Sequence, residues 1–236
     1  MTPGAMARLM AGLYLVQSAA SVFGQLFISS RLFVRGDPAT TAGNILANEV
    51  LFRAGITASL LSVGLHVVSA VLFYRLFRPV DRYFSLLTAL FLVVASVIWT
   101  LAALMFSGAL VVLDGGTSYR AFGPDELPAL ALVLLDWSDE IYNTGLVFFG
   151  FWCAAIGSLI YRSTFLPRFL GLGMALAGLG YATFLYPPLA SAVYPFNLAI
   201  AVGELALVVW LLVAGVNAER WNALADRRRS ATISAS

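Results

Sequence analysis

Ser59, Ser62, His66 and Ser69 stand three, four and three residues apart in the otherwise apolar run SLLSVGLHVVSAVLFY (residues 59–74). On a helix that spacing puts all four on one face. His66 is the only histidine of the chain. Tyr14, Gln17, Ser21 and Gln25 form a second polar stripe by the same period, flanked by Ser18, and Asn197 and Glu204 share a face seven residues apart. Glu204 falls near the centre of an apolar run. A carboxylate there costs about 2.5–3.5 kcal/mol on insertion scales, so it must face the protein interior, be protonated or be paired. The arrangement predicts an intramembrane polar cavity lined by Gln17, Gln25, Ser62, His66, Ser69, Asn197 and Glu204, with His66 and Glu204 hydrogen-bonded directly or through water. Packing is the plainer role of each Ser and Gln, because such side chains also join helices within a bilayer.

A second polar group belongs to the outer rim. Glu49 and Arg53 are an i, i+4 pair, and Asp136, Asp139, Glu140 and Asn143 cluster where a later helix enters the apolar phase. They read as a solvated rim or, more sharply, as an acidic vestibule in which Arg53 bridges to Asp139 or Glu140.

The missing residue types limit the chemistry. One histidine and one cysteine are too few for a zinc or di-iron centre or a bis-histidine haem within one chain. All 14 basic residues are arginine, so no lysine is present to form a retinal Schiff base. No phosphate-binding glycine loop, HExxH motif or glycine-flanked serine occurs, and the arginines form no patch suited to nucleic acid. No cofactor and no metal are expected.

Hydrophobic residues make up 61% of the chain and charged ones 11%, and the mean hydropathy is +0.89. These values exclude an ordinary soluble domain. Apolar windows of the length needed to cross about 30 Å of hydrocarbon fall at residues 9–28, 54–74, 83–106, 141–161, 166–186 and 196–216. The expected fold is therefore an all-α integral membrane bundle of about six transmembrane helices; strands of alternating polarity, as in a barrel, are not seen. Residues 1–220 read as a single domain and 221–236 as a basic, disordered cytoplasmic tail. Gln17 and Gln25 within the first window, and the lack of a small-residue cleavage site, mark it as a retained helix.

Arg8, Arg75, Arg78, Arg82, Arg162, Arg168, Arg220 and Arg227 to Arg229 share one side of a six-span arrangement. The positive-inside rule makes that side cytoplasmic, with both termini inside. Asp37 with Pro38, and Pro124 with Asp125, read as helix starts well outside the apolar core. The second and fourth helices would then carry amphipathic extracytoplasmic extensions and run some 37 residues, about 55 Å, unless kinked. The two segments also form a weak repeat that sets His66 against Cys153 and Glu49 against Asp136. Gly171, Ala175, Gly178 and Ala182 make a small-residue seam on the fifth helix, suited to close packing.

The stretches GDPATTAGNILANEVLFRAG, LFYRLFRPV and GLVFFGFWCAAIGSLIYRSTFLPRFLGLGMALAGLGY resemble the bacterial membrane-protein family known as a domain of unknown function, DUF4386, from about Arg8 to Val216. The resemblance implies a multi-pass membrane protein and transfers no activity, substrate or catalytic residue. Members often carry a histidine directly before the cysteine of the fourth helix. This chain has Trp152 there.

Three readings follow for a protein of the bacterial cytoplasmic (inner) membrane. The first is a protein that binds or moves an amphipathic small molecule or lipid through the polar cavity. The second is an intramembrane enzyme using His66 and Glu204 as a base and its orienter. The third is a sensor or partner subunit, whose outer helix face of Leu127, Leu130, Leu134 and Trp137 docks another protein or a second copy.

Overall fold

The structure, a computed structural model, describes residues 1–116, 119, 121–123, 126–196 and 202–233. Among them, only helices and turns occur. Five helices are long and apolar enough to cross a membrane: α1 (Pro3–Leu32), α3 (Glu49–Phe77), α4 (Arg82–Leu113), α5 (Glu126–Arg162) and α6 (Arg168–Leu185). They overlap the first five expected windows. Between α1 and α3 lies the short α2 (Pro38–Ala47), and after α6 the short α7 (Pro187–Val193). A sixth span is reached if α8 (Val202–Val213) is joined to the start of α9 (Ala218–Ile233), a pair bent by 97° over Val202–Arg228. By helix length and hydropathy the chain is a multi-pass membrane protein.

Large apolar side chains face outward along the long helices: Leu60, Leu61, Val67, Val68 and Val71 on α3, and Leu86, Leu90, Val94, Val97 and Leu101 on α4 are exposed. In water such faces would be a liability. Against lipid they incur no cost, which is why hydrophobicity here reports length rather than burial.

The chain divides into two compact units. The first comprises Met1–Leu15, Leu65–Ala95 and Gly145–Ser236, and the second Val16–Gly64 and Ser96–Thr144.

In the second unit, α2 starts as its residues require. Asp37 accepts a hydrogen bond from the Thr40 N–H at 2.9 Å, and Pro38 occupies the first turn, where a missing N–H costs nothing. The helix stops at Asn48, whose backbone leaves the helical region (φ −126°, ψ 38°) and whose Nδ2 donates to the Asn44 carbonyl at 2.9 Å. Asn48 is therefore the break that divides α2 from α3. In α5 no such break occurs, and the helix runs unbroken for 37 residues. Its start is held by Glu126, which accepts from the Gly123 N–H at 2.7 Å; Pro124 and Asp125 lie outside the described residues. The core of this unit is apolar and stacked, with Phe52 and Phe106 rings 4.5 Å apart among Ile28, Leu32, Ile45 and Leu135. Leu127, Leu130 and Leu134 pack against that core, whereas Trp137 is exposed.

In the first unit, α6 is held on two faces by glycine. A Cβ on Gly171 would lie 2.6 Å from the Gly157 carbonyl oxygen of α5, and one on Gly178 2.6 Å from that of Gly150. On its other side a Cβ on Gly203 of α8 would lie 2.3 Å from the carbonyl oxygen of Gly173. The small-residue seam thus packs as expected, and Gly150 and Gly157 supply the facing half. Gly215, at φ +66°, turns the chain from α8 into α9. The helix α9 runs over Ala218–Ile233. It is tied down by Trp221 Nε1 donating to the Leu76 carbonyl at 2.8 Å and Arg228 Nη2 donating to that of Val80 at 2.6 Å.

Asp81 caps the start of α4 in the same unit and lies outside the spanning segments. The Phe84 N–H that it accepts at 3.0 Å holds its carboxyl below the usual carboxylate range, against a small burial penalty, and Arg162 at 3.3 Å adds to the effect. Because the folded value is the lower one, this contribution is present above the unfolded pKa of about 3.9 and is lost as pH falls through the folded value. Asp81→Ala is expected to cost about 1 kcal/mol at pH 7. The gap between variant and wild-type unfolding midpoints should close below about pH 4; a gap unchanged by acid would mean that the carboxylate contributes nothing as an anion.

Candidate functional site

Two small cavities carry the polar groups buried within the apolar mass, one in each unit. The first-unit cavity has a volume of about 10 Å³, the space of roughly one water. Its wall is apolar, built from Met10, Phe73, Met174, Leu207 and neighbours, except where Tyr14, Trp152 and Glu204 enter it. Tyr14 projects from α1, Trp152 from α5 and Glu204 from the first turn of α8. The contact of Gly203 with Gly173 brings α8 close enough to α6 to set that turn in place.

The Tyr14 hydroxyl donates to Glu204 Oε2. Tyr181, at the end of α6, offers a second hydroxyl to the same carboxylate. Two polar atoms at this site remain sealed from solvent and without a hydrogen-bond partner among the described residues: Trp152 Nε1 and Glu204 Oε1. Trp152 is completely buried. Its ring is fixed by aromatic neighbours, meeting Phe73 edge-on at 5.1 Å and stacking on Phe149 at 5.1 Å and Tyr14 at 6.3 Å. Trp152 and Glu204 line the same largely apolar cavity.

The second-unit cavity is of similar volume, about 10 Å³, and is lined by Ser21, Gln25, Ser59, Ser62, Trp99 and Tyr142 with Val63. Here Ser62 Oγ donates to the Gln17 carbonyl at 2.8 Å, Ser21 and Tyr142 hydroxyls lie 3.2 Å apart, and Trp99 Nε1 donates to the Tyr142 carbonyl at 3.2 Å. Gln25 reaches it from a π-helical turn, Val22–Phe27, a departure from regular helix that recurs at functional positions. Gly24 permits the crossing with α3, since a Cβ there would lie 2.3 Å from Ser59 Oγ.

The model of the family described as Domain of unknown function (DUF4386) matches residues 9–215. The chain belongs to this family. A relative from Archaeoglobus fulgidus, described only as an uncharacterized protein, is 27% identical to this DUF4386 chain over 162 residues, 68% of the chain and 83% of the relative. No solved structure matches it.

Against the expected DUF4386 cavity, the residues fall into two groups. Gln17, Gln25 and Ser62 belong to the second unit, and His66, Ser69 and Glu204 to the first; Asn197 lies outside the described residues. Of the described ones, all except Glu204 are buried side chains. The Glu204 carboxylate takes its hydrogen bonds from Tyr14 and Tyr181. His66 presents its ring edge-on to Phe149 at 6.2 Å. The bridge expected from Arg53 to Asp139 or Glu140 is corrected. Arg53 binds Glu49 at 2.6 Å and reaches Asp114 at 3.6 Å, while Asp139 has Asp136, Glu140 and Arg35 as its charged neighbours. Asn143 is half-buried in the same stretch of α5.

Among the described residues no group of three or more His, Cys, Asp or Glu is placed to hold a metal ion, and Cys153 is a free, buried thiol. The sequence places Tyr14 on a polar stripe but outside the expected site, and it marks Trp152 only as the residue standing where family members often carry a histidine. Tyr181 had no signal, because a tyrosine in an apolar helix end is read first as an interfacial anchor.

Proposed function

We propose that this chain is an inner-membrane protein, with both termini cytoplasmic, that binds or moves an amphipathic small molecule or lipid through a seat formed by Tyr14, Trp152 and Glu204. One observation carries the reading: two partnerless polar atoms, Trp152 Nε1 and Glu204 Oε1, border a cavity that is otherwise apolar. Leaving a buried donor or acceptor unmade costs about 1–3 kcal/mol for each group. Such a cost at two residues of one cavity lining is offset where a ligand's polar end completes both bonds and its apolar body meets the wall. Met10 and Met174 in that wall are flexible, polarizable side chains able to repack around a guest. Arg75, Arg78 and Arg82 around the turn from α3 to α4, Arg162 and Arg168 at the facing ends of α5 and α6, and the arginines of α9 support this orientation.

The test is to purify wild type and Glu204→Leu from the same membranes and to compare co-purifying small molecules by mass spectrometry. An amphiphile retained by wild type and depleted at least about tenfold in the variant, as loss of one buried hydrogen bond predicts, supports the reading. Identical profiles from two folded proteins would remove its basis.

A further inference from the structure

We propose that the head group taken by this seat is a neutral hydroxyl, so that the ligand is a hydroxyl-headed amphiphile rather than an amine, an acid or an acceptor-only lipid. The inference rests on the seat proposed above and deepens it to a chemical class. Trp152 Nε1 is a donor only. Glu204 Oε1 accepts when the carboxylate is ionised and donates if it carries the proton, while Oε2 is already engaged by Tyr14. A hydroxyl accepts from Trp152 in either case, and it can then donate to Oε1 or accept from it. It is therefore complementary in both protonation states.

The other common head groups fail on one side. An ammonium has donors alone and leaves Trp152 Nε1 facing a like group. A carboxylate or phosphate sets anion against Glu204 and needs that side chain to be neutral. An ether or ester oxygen satisfies Trp152 but offers ionised Oε1 nothing. The cavity volume of about 10 Å³ suits a single head oxygen, and the chain behind it must run between the apolar side chains around it. The position of the donor matters as much as its presence: Trp152 is completely buried and clamped by Phe73, Phe149 and Tyr14, so it cannot turn its N–H elsewhere.

The experiment uses the full chain in phosphatidylcholine nanodiscs, whose lipids carry no hydroxyl head. 1-Dodecanol, dodecyl methyl ether, dodecylamine and dodecanoate are added at equal mole fraction, with dioctanoylglycerol as a two-chain hydroxyl probe. The readouts are the thermal unfolding midpoint and the probe retained after gel filtration. Dodecanol is expected to raise the midpoint most among the single-chain probes. Trp152→Phe should weaken its apparent affinity about tenfold, the scale of one buried hydrogen bond, while Gly12→Ala, on α1 but outside the seat and with nothing within 4 Å of the added methyl, retains the shift. Preference for dioctanoylglycerol over dodecanol would place the hydroxyl on a lipid, and the reverse on a single-chain alcohol; both support the assignment. A larger response to amine, acid or ether overturns the hydroxyl assignment and leaves an amphiphile seat in place. Retention of no probe by folded wild type overturns the seat itself, leaving a water site.

Discussion

Gly203→Ala is expected to lower the unfolding midpoint more than any other single methyl addition along α8. A Cβ there would lie 2.3 Å from the carbonyl oxygen of Gly173, 2.5 Å from its carbonyl carbon and 3.0 Å from its Cα. Every obstructing atom is backbone, so no rotamer change relieves the overlap and one helix must move. Overpacking of this kind costs about 1–3 kcal/mol, sometimes more. Because Glu204 follows directly, the same shift changes the approach of its carboxylate to Tyr14, and the variant should lose dodecanol response as well as stability. Gly12→Ala is the matched control. Nothing lies within 4 Å of the added methyl on α1, and replacing a helical glycine by alanine gains about 0.5–1 kcal/mol. Midpoints that moved equally for the two variants would show that α6 and α8 do not meet through their glycines.

That contact also illustrates what a sequence of this kind makes legible. The lengths of the helices follow directly from apolar run length, since crossing hydrocarbon demands a continuous segment. Asp37 with Pro38 announces a helix start because the cap is a local hydrogen bond between near neighbours. Gly171 and Gly178 announce a close approach, but not that Gly157 and Gly150 are its other half, because any helix with a small stripe satisfies the same rule.

Polar pairing is harder still. Depth in the bilayer says that Glu204 needs a partner, and His66 was the one ionisable candidate at similar depth. The Tyr14 hydroxyl donates to the carboxylate. A hydroxyl meets a carboxylate at less desolvation cost than a second charge, and tyrosine is too common in membrane helices for its type to stand out. The break at Asn48 and the π turn at Val22–Phe27 were likewise hidden. Both change the rotational phase of a helix, and a periodicity argument assumes that the phase is constant.

The Tyr14–Glu204 contact should be visible as a large, non-additive energy. Tyr14→Phe leaves a buried carboxylate without its donor, at an expected cost of about 1–3 kcal/mol. Glu204→Leu leaves the Tyr14 hydroxyl without its acceptor, and the cost is of the same order. The double variant removes both polar groups together. Replacing both partners by apolar groups of similar shape is nearly neutral in general, so the double variant should lose clearly less than the sum of the single losses, the remaining deficit being the Tyr181 hydroxyl left without its acceptor. Cycles within membrane helices average about 0.6 kcal/mol and reach about 1.7; a carboxylate acceptor places this pair at the upper end. A parallel cycle of His66→Gln with Glu204→Leu should return a smaller interaction energy, because Glu204 is bonded to Tyr14 and Tyr181. Unfolding midpoints of the five proteins and the two double variants' matched wild type, all in phosphatidylcholine nanodiscs at pH 7, decide between the pairs. Additive losses for Tyr14 and Glu204, or a larger coupling through His66, would move the carboxylate's partner to another helix and dissolve the seat.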